Sequence, residues 1–211
     1  MSEDKLDEQM EAYSQAVQSG LYAKRSGCSG KYDNVRQYWE DEITGMFLRP
    51  FLRKVIDHAH DEMRRVRILD LGCGSADGYE LLTDIREVGP NLPQLGVNLL
   101  ESDVLGLYKG VDLNEDLLNQ ARSIYGDNPK MRFAQADFTE GLPIQEEEAP
   151  FDLYFTSFGT CSHHNEDETL VNLLAEIAER TEGYSVVVCD WLGRYSYEWQ
   201  TLWTNDLSEN R

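Results

Sequence analysis

The 211-residue sequence has little of three features that mark particular protein classes: basic residues, paired cysteines and long apolar runs. Only 19 Lys and Arg oppose 39 Asp and Glu, which gives a formal net charge of -20 at pH 7. Affinity for a phosphate backbone comes from lysine and arginine that displace counterions. This balance therefore argues against nucleic acid, and against an anionic membrane surface, as partners.

Cysteine is sparse and unpaired along the chain. The four cysteines, Cys28, Cys73, Cys161 and Cys189, form no C-x-x-C pair. This spacing argues against a zinc ribbon and a disulfide framework, so we predict ordinary thiols, no metal site and a reducing compartment. No apolar run approaches the roughly 18 residues of a membrane span, and the acidic N-terminus lacks the layout of a signal peptide. We therefore predict a cytoplasmic location.

Apolar residues make up 41% of the chain, which is enough for one domain with a substantial core. Apolar residues at helical spacing predict three helices before residue 64. They cover residues 6–21, 33–47 and 51–63. Pro50 is expected to kink or divide the helix between the last two. We interpret residues 1–63 as an N-terminal helical lid and residues 64–211 as the main domain.

After residue 64, short apolar runs alternate with amphipathic stretches, which is typical of strand-helix units around a mostly parallel sheet. The predicted strands are 66–71, 110–113, 131–134, 151–156 and 184–189. The predicted helices are 78–88, 115–125, 166–180 and 195–203. Residues 89–107 are longer than a usual connection and are interpreted as an insertion. The expected fold is α/β and Rossmann-like, with helices on both faces of the sheet.

A glycine-rich turn follows the first predicted strand. Gly72 and Gly74 let the backbone turn sharply and approach a ligand beside the free amides of the next helix. Asp70 stands just before the turn, where a carboxylate disfavours a pyrophosphate but favours a ligand with ammonium and sulfonium charges. This indicates S-adenosyl-L-methionine (SAM) over NAD. A purely structural turn, and an Asp70 that only caps it, are the alternatives.

Two further predicted strands also end in carboxylates. Asp112 can accept both hydroxyls of a ribose, and Asp137 with Phe138 can meet the amine and the face of an adenine. The alternatives are a helix N-cap for Asp112, and a solvent-facing Asp137 beside a core Phe138. Three acidic strand ends in register predict a nucleoside pocket at the carboxyl edge of the sheet.

With these features the chain resembles the class I SAM-dependent methyltransferase family over about residues 66–190. The matching motifs are LDLGCG at 69–74, GVDLN at 110–114, AQADF at 134–138 and FDLYFTSFG at 151–159. The resemblance implies SAM as the cofactor, bound by residues that run from its methionine end through the ribose to the adenine. These residues are Asp70, Gly72, Gly74, Ser157, Asp112, Leu113, Asp137 and Phe138.

Two features depart from the family pattern. Ala76 stands where many members have a third glycine, and we expect its methyl group to crowd the turn slightly while Gly78 shares the work. The chain also stops soon after its fifth predicted strand, where the family usually adds an antiparallel pair. We interpret this as truncation; cover of the apolar edge by residues 195–203, or by a second copy in a homodimer, is the alternative.

The acceptor side is predicted from the loop after the fourth strand and from the N-terminal helices. His163 and His164 are the candidate general bases, with plain surface histidines as the alternative. Tyr32 and Arg36 are the candidate residues by which the N-terminal lid contacts the cofactor, with simple docking of the helices as the alternative.

Two functions from different classes follow. The first is in-line methyl transfer from SAM to an N-, O- or C-nucleophile of a small-molecule acceptor. The second is a non-catalytic or regulatory subunit that binds SAM or S-adenosylhomocysteine. An NAD-linked oxidoreductase is a distant third.

Overall fold

The computed structural model of the protein describes residues 3–19, 34–87, 97–157, 159–163, 167–181 and 183–191, without the side chains of residues 3–10, 34–41 and 163. The helices are α1 (Glu3–Gln18), α2 (Asn34–Asp61), α3 (Asp77–Asp84), α4 (Glu115–Tyr125) and α5 (Asp167–Arg180). The strands are β1 (Val66–Leu71), β2 (Leu105–Asp112), β3 (Met131–Gln135), β4 (Leu153–Phe155) and β5 (Val186–Val188). Outside the description lie Tyr32, His164, the side chain of Arg36 and the predicted helix over residues 195–203.

The described strands form one sheet, in which every neighbouring pair is parallel, in the order β3-β2-β1-β4-β5. The chain starts at the central β1, moves outward through β2 and β3, and then crosses back to β4 and β5. The strand order therefore reverses between β1 and β4, and such sheets bind ligands at the carboxyl ends of the strands at this switch point. The predicted Rossmann-like fold class is confirmed.

Apolar side chains from the sheet enter two cores, one on each face. Ile68 and Phe155 face the core formed with α2, α3 and α4, whereas Leu69 and Tyr154 face the core covered by α5. Successive side chains of a strand point to opposite faces, so strands covered on both faces are apolar throughout. This explains the continuous apolar runs of the sequence. None of the described helices combines the length and the apolar character needed to cross a membrane.

β2 begins at Leu105, earlier than the predicted start at Gly110. Gly106 and Lys109 interrupt the apolar pattern, but Leu105, Leu107 and Tyr108 are buried in the sheet. The end of the segment 89–107 is therefore part of the sheet, and the interpretation of these residues as an insertion is wrong from Leu105 onward.

α2 runs without interruption through Pro50, so the predicted division of the helix is wrong. A proline lacks the amide hydrogen that would bond to the carbonyl of residue 46. Met46 is 63% exposed, so water can satisfy that carbonyl. On the opposite face Leu48, Leu52 and Val55 are buried in the core, which stabilises the helix on both sides of the proline.

Asp152 joins the start of β1 to β4 at the amino edge of the sheet. Its Oδ2 accepts a hydrogen bond from the Arg67 amide over 2.8 Å, and its Oδ1 lies 2.6 Å from an Arg64 guanidinium nitrogen. The side chain is 5% exposed, whereas that of Glu62, the other partner of Arg64, is 46% exposed.

We expect Asp152→Ala to lower the free energy of unfolding by about 2 kcal/mol, because it leaves the partly buried Arg67 amide without its acceptor and removes the buried one of the two carboxylates that pair with Arg64. Glu62→Ala should leave the urea midpoint almost unchanged, because exposed ion pairs contribute little. Urea unfolding of both variants measures the difference. Equal shifts would show that burial does not distinguish the two carboxylates.

Candidate functional site

The glycine turn at residues 72–75 connects β1 to α3. The amides of Gly72 and Cys73 donate to the Val111 carbonyl oxygen over 2.8 and 3.0 Å, which ties the turn to the end of β2. Gly72 and Gly74 have φ angles of 74° and 52°, in the left-handed region that favours glycine. The shape of the turn therefore requires glycine at both positions that the sequence predicts to hold a cofactor.

The two glycines have different surroundings. A Cβ built on Gly72 would overlap the side chain of Thr160, with the Thr160 Oγ1 only 2.8 Å away. Among the described residues, the nearest atom to a Cβ built on Gly74 is a methyl carbon of Leu117 at 4.0 Å. The loop after β4 thus fills the space beside Gly72, whereas no described residue fills the space beside Gly74, which we call the open cradle.

Asp112 is held at the end of β2 by backbone amides. Its Oδ2 accepts a hydrogen bond from the Gly74 amide and its Oδ1 accepts one from the Asn114 amide, both over 2.8 Å. The N-cap of α4 is Asn114, whose side-chain oxygen accepts from the amides of Asp116 and Leu117. The alternative of Asp112 as the N-cap is therefore wrong. A carboxylate oxygen can accept more than one hydrogen bond, so a role of Asp112 toward a ligand beside the cradle is compatible with these two bonds.

Asp70 is fully buried at the end of β1. Its Oδ2 accepts a hydrogen bond from the hydroxyl of Tyr108 on β2. The same oxygen packs so closely on Gly78 of α3 that a Cβ there would overlap it. A buried carboxylate needs such partners to offset the loss of water, and Tyr108 supplies one from inside the protein. Its role toward a methionine amino group stays a prediction.

Three carboxylates act on the glycine turn. Burial raises the pKa of the Cys73 thiol well above its usual range, and the negative charges of Asp70, Asp112 and Asp77 raise it further. The field that disfavours a thiolate here also disfavours a pyrophosphate and favours an ammonium or a sulfonium. The open cradle and this negative field fit SAM, and they do not fit the pyrophosphate of NAD.

The residues after β3 differ in their surroundings. Phe138 is only 8% exposed and belongs to the core with Leu69 and Val111. This burial favours the alternative of a core phenylalanine over a ring that packs on adenine. Asp137 is half-buried, and its Oδ1 accepts from the amide and the hydroxyl of Thr139 over 2.8 and 2.6 Å. Its contact with the adenine amine stays a prediction.

The loop after β4 carries two of the predicted residues, Ser157 and His163. Ser157 is 4% exposed, and its carbonyl oxygen accepts from the amide and hydroxyl of Thr160 over 3.2 and 2.7 Å. His163 ends the short 3-10 helix Cys161–His163, so its backbone lies at the carboxyl edge. Within the described ranges, no three His, Cys, Asp or Glu side chains form a group that could hold a metal ion.

Ala76, at the position of the family's third glycine, has a φ of 67° and is fully buried. The left-handed conformation is unfavourable for alanine by roughly 1–2 kcal/mol. The backbone at residue 76 therefore keeps the left-handed conformation that suits glycine. Alanine at this position adds backbone strain as well as the expected methyl group.

Sequence reasoning missed two residues that shape the site, Tyr108 and Asn114. Tyr108 follows directly on the segment interpreted as an insertion, whereas Asn114 followed by Glu-Asp is a recognisable N-cap signal. The side-chain amide nitrogen Nδ2 of Asn114 also donates to the Ser14 hydroxyl over 3.2 Å, which joins α1 to the start of α4 beside Asp112. Next to it, the Leu113 carbonyl accepts from Gln135 over 2.9 Å. The interpretation of residues 1–63 as a lid stays a prediction.

The buried Tyr108 predicts a loss of stability in alkali. Burial, followed by the charge of Asp70, raises the pKa of Tyr108 well above its usual range. Above pH ~10 the unfolded chain loses this proton while the folded chain keeps it, so the free energy of unfolding falls by up to ~1.4 kcal/mol per pH unit. In urea unfolding at pH 9, 10 and 11, Tyr108→Phe should show a shallower decline than wild type. Identical slopes would contradict a protonated, buried Tyr108.

Comparison with known proteins agrees with this arrangement. Residues 96–182 match the family model described as a methyltransferase domain. No curated protein sequence is significantly similar to the chain.

Three solved structures illustrate the structural similarity. DesVI from Streptomyces venezuelae is 20% identical, with 67% of this chain and 51% of that chain covered and a TM-score of 0.43. A SAM-bound amino pentose methyltransferase from Micromonospora echinaspora is 16% identical, with 74% and 57% covered and a TM-score of 0.45. A TehB-like SAM-dependent methyltransferase from Corynebacterium glutamicum is 20% identical, with 86% and 71% covered and a TM-score of 0.43.

The chain thus spans about half the length of the first of these structures. The methyltransferase-domain match covers β2 to α5, which is less than half of the chain. The chain is therefore similar to a methyltransferase domain over residues 96–182, on a Rossmann-like parallel sheet.

Proposed function

We propose that the protein transfers a methyl group from SAM to an N-, O- or C-nucleophile of a small-molecule acceptor. The observation that carries the proposal is the open cradle beside Gly74, with the Asp112 carboxylate fixed against it. A net charge of -20 favours a neutral or cationic acceptor over nucleic acid or another polyanion.

The residues of the chain divide the work between binding and positioning. Bound SAM supplies an activated methyl group on a sulfonium. The Gly74 cradle accommodates the methionine part, and Asp112 accepts from the ribose hydroxyls. The negative field of Asp70, Asp77 and Asp112 stabilises the cationic end.

Methyl transfer needs alignment and exclusion of water more than a reactive side chain. Ser157 and the loop that follows β4 border the transfer side, because this loop packs on Gly72. His163 and His164 are the proposed bases for an acceptor that must lose a proton. Tyr32 and Arg36 are the proposed contacts from the N-terminal segment.

Calorimetric titration with S-adenosylhomocysteine tests cofactor binding, with NAD+ as the control ligand. We expect micromolar binding of S-adenosylhomocysteine and no heat with NAD+. A folded chain that binds neither ligand, or that binds only NAD+, would refute the proposal.

A non-catalytic subunit that binds SAM is the second candidate, because the carboxylates at the strand ends would serve either role. Turnover separates the two. Transfer of label from methyl-labelled SAM to members of an amine, alcohol and phenol panel supports the enzyme. Tight binding of S-adenosylhomocysteine without transfer to any acceptor supports the subunit.

A further inference from the structure

Two cysteines that are far apart in sequence meet at the carboxyl edge of the sheet. Cys161 lies in the loop after β4, and Cys189 directly follows β5. The Cys161 amide donates to the Asp190 carbonyl over 3.2 Å, and Thr160 forms an antiparallel bridge with Trp191. The backbone therefore holds the two cysteine positions side by side, and their thiols share a hydrogen bond.

Thr156 connects both sides of this pair. Its hydroxyl lies 3.0 Å from the Cys161 sulfur, donates to the Val188 carbonyl over 3.1 Å and accepts from the Asp190 amide over 3.2 Å. The hydroxyl thus contacts Cys161 and the residues on either side of Cys189. The position of the two sulfurs is therefore set by several hydrogen bonds of the fold.

The two thiols differ in accessibility and in acidity. Cys161 is 3% exposed, whereas Cys189 is only half-buried and is the more accessible of the two thiols. The hydrogen bond from Cys189 lowers the pKa of Cys161 to about 7, and the same bond raises the pKa of Cys189. The thiolate is the reactive form, and near neutral pH Cys161 supplies it.

We propose that Cys161 and Cys189 are a modification site, in which a peroxide converts the two thiols into a reversible disulfide. The Cys189 sulfur, the more exposed of the two, loses its proton and attacks one peroxide oxygen, the O–O bond breaks, and hydroxide leaves and takes up that proton as water. The Cys161 sulfur then attacks the resulting sulfenic acid, the S–S bond forms, the S–O bond breaks, and a second water leaves. Two thiols lose two electrons in total, and hydrogen peroxide gains them.

The disulfide changes the loop that packs on the glycine turn. β4 lies between β1 and β5 in the sheet. Forming the S–S bond brings the Cys161 sulfur closer to Cys189 after β5, and so we expect it to pull Cys161 away from Gly72 after β1. Thr160, the neighbour of Cys161, is the residue that fills the space beside Gly72. Oxidation is therefore expected to loosen this contact and weaken cofactor binding, an effect that rests on the proposed function.

The modification is tested by peptide mapping of the full chain carrying Cys28→Ser, so that three thiols remain of the four in the sequence. After brief treatment with hydrogen peroxide, we expect a peptide pair linked through residues 161 and 189, which dithiothreitol releases. Cys73 is the internal control, because burial raises its thiol pKa and keeps it unreactive. Absence of the linked pair, or linkage through Cys73, would overturn the proposal.

The effect on the site is tested by titration with S-adenosylhomocysteine before and after oxidation. We expect affinity to fall about fivefold on oxidation and to recover with dithiothreitol. Cys189→Ser should bind like the reduced protein and should not respond to peroxide. A linked pair with unchanged affinity would refute the coupling to the site. Failure of the reduced protein to bind would instead refute the proposed function and leave the mapping result valid.

Discussion

Replacing Asp112 by alanine is expected to weaken binding of S-adenosylhomocysteine by about 100-fold, which corresponds to ~3 kcal/mol. Hydrogen bonds to a charged group each contribute about 1.5–3 kcal/mol, and the Asp112 carboxylate is the proposed acceptor for the ribose hydroxyls beside the cradle. The substitution also removes the acceptor of the Gly74 amide, which loosens the turn on the methionine side. Calorimetric titration of wild type and variant measures the loss.

Two control variants distinguish a loss of cofactor binding from unfolding of the protein. Asp127→Ala removes a carboxylate from an exposed turn after α4 and should bind like wild type. Asp112→Asn keeps one side-chain oxygen as an acceptor, so its affinity for S-adenosylhomocysteine should fall about tenfold. This affinity lies between those of Asp127→Ala and Asp112→Ala. If Asp112→Ala binds S-adenosylhomocysteine within a few-fold of wild type and has an unchanged melting temperature, the carboxylate stabilises the glycine turn and does not bind the cofactor.

The switch-point architecture was predictable because its signals are local. The glycine turn directly follows a strand that is apolar on both faces, and both features can be seen in adjacent residues. The carboxylates of Asp70 and Asp112 both lie near the carboxyl edge of the sheet, as predicted, but they are not in register. Asp112 is the last residue of β2, whereas Asp70 lies one residue before the end of β1 and pairs with Gly110. The α/β fold follows from that pattern alone, and the proposal of SAM over NAD rests on the carboxylates beside the glycine turn.

The remaining features depend on contacts that the local pattern does not contain. Pro50 breaks an isolated helix, but the burial of neighbouring residues on α2 outweighs one missing hydrogen bond. Phe138 adjoins a carboxylate in sequence, yet the strand that precedes it sends the ring into the core under α5. The approach of Cys161 to Cys189 depends on β5 pairing with β4, which sequence spacing does not reveal.

Gly78→Ala is expected to lower the free energy of unfolding by about 3 kcal/mol, although alanine is the better helix former. A Cβ at this position would overlap the Asp70 carboxylate, lie 2.8 Å from the Phe155 ring and lie 3.1 Å from the Ser157 hydroxyl. All three neighbours are buried, so the helix must move away from the sheet. This movement would also displace Asp70, and we expect cofactor affinity to fall with stability.

The matched control is Gly45→Ala, at another buried glycine inside a helix. A Cβ there meets Ile85 at 3.6 Å, an ordinary contact, so the substitution should stabilise the protein by about 0.5–1 kcal/mol through helix propensity. Urea unfolding of the two variants should therefore give shifts of opposite sign. Stabilisation by Gly78→Ala would mean that α3 packs less closely on β1 and β4, and Gly78 would then have no part in positioning Asp70.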